Sequence, residues 1–498
     1  MKNWVMNCCL IMKFLQSKLP LLLAAVGSLL RIFPAWAMPM WYDENFTLLV
    51  ARLPLDKLIQ ATAGDVHPPL FYLLVWPLAH IPGLVPWLVV RLPSILAGIA
   101  SLYVFWAILE WMEANKTVQL VAFGLFCFLP QQIYYSQEGR MYSLLTLLVL
   151  LAWLLIMEAQ AAQPIKYVWL AVVASAMLWL QNYGLLYAAA LWLAAIVYDR
   201  HTWKPLTIAL AAAGLSFVPW LFVLSSQMTS ISGNYWMFYF SLPSLLGDFA
   251  HVFFAKVYIN FDMLNVAVFY GLLTWVLIWS IRKRTLNLPA VILAFLPLVL
   301  VAIVSVLWQP IMLFRALIPS AAFICLLLAE PIEYLGRKPV LLLAIFFLPV
   351  LLINLGNVVV RSGWASKSIQ ADRDAISYID TNWKQGDLLY YVDDGTFVSG
   401  SVSWQNIDNV LQEPQCGMVR GGLTLQTQEA LGMRSGYLPA NYPGRIWVIS
   451  GVTSMFSECF DDYLRDNGLM DNPPLFCSQD NALVKSCLYL VEPKSGTE

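Results

Sequence analysis

WYDENFTLLVARLPLDKLIQATAGDVHPP, residues 41–69, follows directly on the first long apolar segment of the chain. It sets an acidic pair, Asp43 and Glu44, and a second polar cluster, Asp65 and His67, beside sequence otherwise built for lipid. The rest of the topology depends on whether this stretch and the apolar residues after it cross a membrane or stay on one side.

The class is set by composition. With 60% hydrophobic residues, 12% charged residues and 21 Trp in 498 positions, the chain excludes an ordinary water-soluble domain and reads as a polytopic membrane protein. A formal net charge of −1 says little about partners, because in such a protein the distribution of charge over the loops holds the information.

The N-terminal segment bears Lys2, Lys13 and Lys18 before an apolar run and shows no clear small-residue cleavage site. It reads as an uncleaved first span with a cytoplasmic N-terminus. Apolar runs then recur near 92–109, 118–135, 141–159, 166–181, 184–198, 205–224, 263–281, 288–308, 316–331 and 339–356, which makes about eleven spans.

Charge placement tests this count. If 67–85 does not cross, the connections on the starting side hold Lys116, Lys166, Arg200 with Lys204, Arg282 to Arg284, and Arg337 with Lys338, as the positive-inside bias requires. Counting 67–85 as a span moves Arg282 to Arg284 outside. Residues 41–90 are therefore expected to form a first outer loop of short interfacial helices, broken by Pro54, Pro68, Pro69, Pro77 and Pro82. An odd number of spans leaves the C-terminus outside. The expected domains are a transmembrane part over 1–360, first outer loop included, and a soluble extracytoplasmic α/β domain over 361–498.

In that second domain, RDAISYIDTNWKQGDLLYYVDD reads as helix, turn and strand, RIWVISG and VKSCLYLVEP as strands, and SECFDDYLRDNG as a helix. Cys416, Cys459, Cys477 and Cys487 fall there, an even number that allows up to two disulfides in an oxidising compartment. Cys8, Cys9, Cys127 and Cys325 lie in or near spans and read as apolar side chains.

On this topology the uncommon polar residues collect on the outer side. Besides the acidic pair, Asp65 and His67, they are Arg91, Gln137, Glu138, Arg140, Gln181, Asn182 and Arg315. Each has an ordinary structural alternative. Arg91 and Arg315 could snorkel to headgroups, Glu138 and Arg140 could form an interfacial ion pair, the acidic pair could cap the helix that follows, and His67 could be a turn residue.

Taken in order, WYDEN, DVHPPL, RLPS, YYSQEGRMYSLL, NYG, VPWL, NYW with PSLL, and FRALIPS resemble the polytopic C-type (GT-C) glycosyltransferases. Within these the resemblance is to the superfamily of protein O-mannosyltransferases and aminoarabinose transferases. It implies an α-helical GT-C fold, a polyprenyl-phosphate sugar donor and a site on the outer face under the first large loop. It also implies an acceptor hydroxyl on a lipid, glycan or protein, an address in the inner or plasma membrane, and no nucleic acid.

The chemistry agrees. A lipid phosphate is a good leaving group that needs fixed positive charge as it departs, which Arg140 and Arg315, with Arg91, can supply. An acceptor hydroxyl needs a base. By its place in the family's pair, Asp43 is that base, with Glu44 orienting it or meeting the acceptor. Asp65, His67, Glu138, Tyr135, Asn182, Tyr235 and Trp236 are then the candidates for the sugar and acceptor pocket. One base-activated attack without a covalent intermediate implies inversion.

The chain has Val66-His67-Pro68-Pro69 where aminoarabinose transferases tend to have Glu-Lys-Pro-Pro, and it lacks the long middle-loop insert of the eukaryotic mannosyltransferases. The short loop SSQMTSISGNYWMFYFSLPSLLGDFAHVFF reads as a lid hinged at Gly233. The outer-side carboxylates with His67 could hold a divalent ion, but no spacing demands one, and two cationic phosphate ligands make it unnecessary. The rivals are a lipid-linked sugar flippase or transporter, which the absence of repeats and the one-sided charge disfavour, and an assembly scaffold, which leaves Asp43 and Arg140 without work.

Overall fold

Proline decides where many of the helices start and stop. The computed structural model describes residues 18–33, 35–38, 40–159, 164–231, 241–254, 262–335, 347–356, 358, 375–391, 410–412, 425–431, 442–453, 474–477 and 484–491. In chain order the helices are α1 (Lys18–Ile32), α2 (Tyr42–Arg52), α3 (Leu55–Gly64), α4 (Leu70–Ala79), α5 (Pro86–Trp111), α6 (Lys116–Phe128), α7 (Pro130–Ser136), α8 (Tyr142–Glu158), α9 (Pro164–Leu180), α10 (Gly184–Tyr198), α11 (Trp203–Ile231), α12 (Leu242–Ala250), α13 (Asp262–Lys283), α14 (Leu288–Leu307) and α15 (Ser320–Ala329). A helix over Phe347–Gly356, one over 375–382 and one over Leu425–Ala430 follow as α16, α17 and α18. The strands are β1 (Leu388–Tyr391), β2 (Val410–Gln412), β3 (Ile446–Thr453), β4 (Phe476–Cys477) and β5 (Val484–Val491).

Wherever their residues are described, the eleven expected spans fall on helix, the last of them from Phe347 on. Among the described residues four helices are long and apolar enough to cross by themselves: α5, α11 with the turn before it, α13 and α14; α6 and α7 together make a fifth if counted as one bent span. Two expected spans are broken. Pro130 has no N–H to donate to the fourth carbonyl before it, and α6 and α7 meet there at a 49° bend. The run at 316–331 is a 3-10 turn over Phe314–Leu317, the ten-residue α15, and a second 3-10 turn over Glu330–Glu333. The helix within 67–85, α4, has ten residues and reaches about 15 Å, half of the ~30 Å hydrocarbon core.

The chain divides into two units. The first takes residues 1–35, 91–222 and 237–362, and the second takes 36–90, 223–236 and 363–498. The sequence reading placed residues 41–90 with the spans; the contacts group them with the C-terminal residues.

In the second unit the sheet runs β2-β1-β3-β5-β4, with β2, β1 and β3 parallel and β5 antiparallel to both β3 and β4. Side chains alternate between its faces, as a two-residue repeat requires. Leu388, Tyr390, Ile446, Val448, Cys487 and Tyr489 share one cluster. Leu389, Tyr391, Trp447, Ile449 and Leu488 share the other, and there they meet Phe46, Leu49, Val50, Leu58, Ala61 and Tyr72 from α2, α3 and α4. At ~1.5–3 kcal/mol for each large apolar side chain fully buried, neither half of this core is expendable. It also changes the expected character of the outer loop: α2 is buried from Glu44 to Ala51, whereas α3 and α4 keep exposed apolar residues such as Leu55, Ile59 and Leu74.

Cys477 and Cys487 stand opposite each other on β4 and β5 and form a disulfide, with 4.1 Å between their Cα atoms. Cys416, Cys459, the helix expected from SECFDDYLRDNG, the proposed hinge at Gly233, and the candidates Tyr235 and Trp236 lie outside the described residues.

Candidate active site

The acidic pair opens α2, where carboxylates suit the positive end of the helix dipole. Its two members differ. Glu44 is buried, and its Oε2 accepts from the backbone N–H of Trp41 at 3.3 Å, the reaching-back half of a capping box. Asp43 is partly exposed; its carbonyl accepts from Thr47 Oγ1 at 2.7 Å. The capping role is thus filled by Glu44, and Asp43 is the carboxylate nearer to solvent.

Asp65 follows the last turn of α3, where its N–H donates to Ala61 O at 3.1 Å. Its Oδ2 lies 3.1 Å from His67 Nδ1 and accepts from the Tyr72 hydroxyl at 3.3 Å. With Nδ1 as the donor, His67 and Tyr72 meet on one carboxylate oxygen, and the carboxylate orients the imidazole. Tyr72, also packed edge-on to Phe46 at 6.1 Å, was missed in the sequence, although it stands five positions after His67 at the start of α4, within reach of the same turn.

The end of α3 is held unusually well. An α-helix leaves its last four carbonyls without intrahelical donors. Here Gln426 Nε2 donates to Gln60 O at 3.2 Å, Thr427 Oγ1 to Ala61 O at 3.1 Å, and Gln227 Nε2 to Thr62 O at 3.0 Å and Ala63 O at 3.2 Å. These residues come from α18 and the end of α11, and they brace the turn that presents Asp65 and His67.

The first unit gathers the cationic candidates. Arg315 lies on the 3-10 turn before α15, partly exposed, with its guanidinium 5.6 Å from the centre of the Tyr142 ring, a cation–π distance. Tyr142 meets Tyr135 at 5.2 Å, Tyr135 meets Phe314 at 6.4 Å, and Phe314 meets His251 at 5.8 Å. His251 is buried with Nδ1 3.7 Å from Asp248; sequence reasoning passed over it because it sits in an ordinary apolar run.

The segment before Arg315 is pinned from the NYG motif. The Tyr183 hydroxyl donates to Ile311 O and accepts from the Leu313 N–H at 3.0 Å. Gly184 is required beside it, since a Cβ there would lie 2.5 Å from Met177 O. Asn182, the residue proposed from that motif, is partly buried and its carbonyl accepts from the Leu185 N–H at 3.2 Å. Gln132 Nε2 to Ile318 O at 2.8 Å and the Tyr187 hydroxyl to Leu317 O at 3.1 Å fix the residues after Arg315.

Glu138 and Arg140 share the tight turn after α7, where the Arg140 N–H donates to Glu138 O at 2.7 Å. Both are buried, and Ser94 Oγ donates to Arg140 O at 2.8 Å. Arg91 is fully buried, with Nη1 donating to Ala35 O at 2.5 Å, which makes it a tie between α5 and the residues after α1. Among the described residues no group of three or more His, Cys, Asp or Glu gathers in a way that could hold a metal ion.

No family model matches the chain, and no curated protein matches it in sequence. Among solved structures it is similar to ArnT, the aminoarabinose transferase, of Cupriavidus metallidurans in the apo state, with a TM-score of 0.60 at 12% identity over 94% of this chain and 97% of that one. The same protein bound to undecaprenyl phosphate gives 0.59 at 13% identity with the same coverage. The oligosaccharyltransferase AglB of Archaeoglobus fulgidus, in complex with an inhibitory peptide and a dolichol-phosphate, gives 0.48 at 11% identity over 88% of this chain and 70% of that one. The likeness to ArnT runs nearly end to end, and at this identity what it shows is architecture: the chain has the GT-C fold of a polytopic membrane protein with a small α/β part.

Proposed function

We propose that the chain is an inverting glycosyltransferase that moves a sugar from a polyprenyl-phosphate donor to an acceptor hydroxyl. The observation that supports this most is the fold shared over 94% of the chain with a protein solved bound to undecaprenyl phosphate. The side chains supply the parts such a reaction needs.

Asp43, the more accessible of the two acids, takes the acceptor proton as the hydroxyl oxygen attacks the anomeric carbon. The bond to the phosphate oxygen breaks with its electron pair, and polyprenyl phosphate leaves. Arg315, steadied by Tyr142, and Arg140 neutralise the charge that builds on the phosphate. Arg91 holds the frame on which they stand. Glu44 fixes the turn that bears Asp43; Asp65 and His67 in the second unit, and Tyr135, Glu138 and Asn182 in the first, are the further candidates for contacts to sugar and acceptor. With two guanidinium groups on the phosphate, the reaction needs no divalent metal.

The loops bearing Lys116, Lys166, Arg200 and Arg282 to Arg284 favour a cytoplasmic N-terminus, and the Cys477–Cys487 disulfide fits an extracytoplasmic α/β part. The test is turnover of a panel of polyprenyl-phosphate sugars by the protein in lipid, read as release of polyprenyl phosphate. Consumption of one donor, with the anomeric configuration inverted in the product, supports the reading; no turnover of any donor with mixed membrane extract as acceptor refutes it.

A further inference from the structure

Arg31 lies inside the first apolar helix and is fully buried. A charge in such a place is costly and calls for a reason. Its hydrogen bonds run to backbone carbonyls: Nη1 donates to Gly27 O at 2.9 Å and Cys127 O at 3.0 Å, and Nη2 donates to Phe126 O at 3.3 Å.

Two of those carbonyls belong to the end of α6. In an unbroken helix Phe126 O would receive the N–H of residue 130, but residue 130 is proline and has none. Arg31 supplies that missing donor from another helix, and its fork reaches the two α6 carbonyls and Gly27 O of its own helix at once. Its surroundings are shaped to match. A Cβ at Gly98 would lie 2.0 Å from Ser136 Oγ and 3.3 Å from Arg31 Cδ, so only glycine lets α5 approach the bend. The tie is returned at the far end of α7, where Gln137 Nε2 donates to Phe33 O at 2.8 Å and Leu30 O at 2.5 Å. The next three residues include Glu138 and Arg140.

We infer that Arg31 is a positioning residue for the phosphate-binding side of the site: it caps two carbonyls at the end of α6, one of them deprived of its donor by Pro130, and so fixes the 49° bend that aims Glu138 and Arg140. The inference rests on the glycosyltransferase reading for its consequence, and on the hydrogen bonds alone for its geometry.

The experiment uses the full chain in lipid, comparing wild type with Arg31→Met, Arg31→Lys, Arg140→Gln and the double variant Arg31→Met with Arg140→Gln. Two quantities are read: binding of undecaprenyl phosphate, and amide exchange over residues 131–141. Arg31→Met is expected to weaken binding about tenfold or more, the size of one hydrogen bond to a charged group. Arg31→Lys keeps the charge but not the fork and is expected to recover only part of that loss. The double variant binds no more weakly than Arg140→Gln alone, because Arg31 acts through Arg140, and exchange over 131–141 rises in Arg31→Met while 143–158 is unchanged. A double variant weaker by the product of the two single effects overturns the inference, as does unchanged exchange. If Arg31→Met does not fold, Arg31→Lys provides the same comparisons. If wild type fails to bind undecaprenyl phosphate, the proposed function fails, and exchange over 131–141 decides the role of Arg31 alone.

Discussion

Replacing Gln227 by leucine removes a side chain that is 4% exposed and that holds two carbonyls at the end of α3, at 3.0 and 3.2 Å. Each hydrogen bond contributes about 1 kcal/mol net, and a buried carbonyl left without a donor costs about 1–3 kcal/mol. Thr62 O keeps the Asp65 N–H, so two bonds are lost but only Ala63 O is left without its side-chain donor, and the expected cost is about 2–3 kcal/mol, felt locally. Thr427→Val removes the 3.1 Å bond to Ala61 O and is nearly isosteric, so about 1–2 kcal/mol is expected. The donors come from separate elements, but the carbonyls are neighbours in α3 and two of them share the Asp65 N–H, so the double variant is expected to depart from additivity by about 0.5 kcal/mol or more. Hydrogen exchange of the Asp65 amide, which donates to Ala61 O and Thr62 O, is the direct readout: exchange quickens by about 30-fold or more for Gln227→Leu and about tenfold for Thr427→Val. If both leave Asp65 exchange at the wild-type rate, these side chains do not brace the turn.

Asp43→Asn is expected to lower turnover by about 10²–10⁴-fold while undecaprenyl phosphate still binds; a variant that keeps the wild-type rate removes Asp43 as base. Tyr142→Leu takes the ring from beneath Arg315 and should weaken binding of undecaprenyl phosphate by about 0.5–2 kcal/mol, measured by titration in lipid, with Tyr142→Trp restoring it; a loss that tryptophan does not repair speaks against a cation–π role. In the α/β part, burial alone would raise the Asp387 carboxyl, but hydrogen bonds from Arg445, Trp447 and the Lys384 amide outweigh it and hold it below the ordinary carboxylate range. Its folded value is depressed, so the pair stabilises fully above about pH 4 and the stabilisation is lost as pH falls through the folded value. Asp387→Asn should cost about 3 kcal/mol, toward the lower end because Arg445 is 18% exposed, and should flatten the acid limb of a denaturation curve; an unchanged limb rejects the assignment. Thorough chelation should leave turnover intact, and loss that zinc or magnesium restores would require a metal.

Some of this was plain in the sequence, for physical reasons. A span is recognised by its own apolar residues, so among the described residues helices appear where the runs lay. The refusal to count 67–85 as a crossing came from the lysines and arginines of later loops, and the ten-residue α4 agrees with it. The Asp65–His67 contact was local enough to read. What stayed hidden depended on residues far apart in the chain. Nothing near Gln227 says that it serves Thr62 and Ala63, some 165 positions earlier, nor does NYG announce that Tyr183 pins Ile311 and Leu313. The break at Pro130 could have been suspected from proline alone, but the arginine that answers it sits 95 or more residues away. Grouping 41–90 with the spans followed the order of the chain, whereas the core follows apolar faces, and α2 finds its own on β1, β3 and β5.

That shared core has a consequence for biosynthesis. The acidic pair and the Asp65–His67 turn leave the ribosome early, yet Leu488, which closes the cluster over Phe46 and Tyr72, follows Tyr72 by roughly 400 residues, about 20–80 s at ordinary elongation rates. During that interval α2, α3 and α4 have apolar faces without their cover. Ribosome-arrested chains ending near residue 360 should therefore be cut by protease within 42–79, and chains carried past 488 should resist; equal resistance in both would refute the idea. Until β5 is made, the helices that bear the acidic pair and the Asp65–His67 turn lack the last described part of their core.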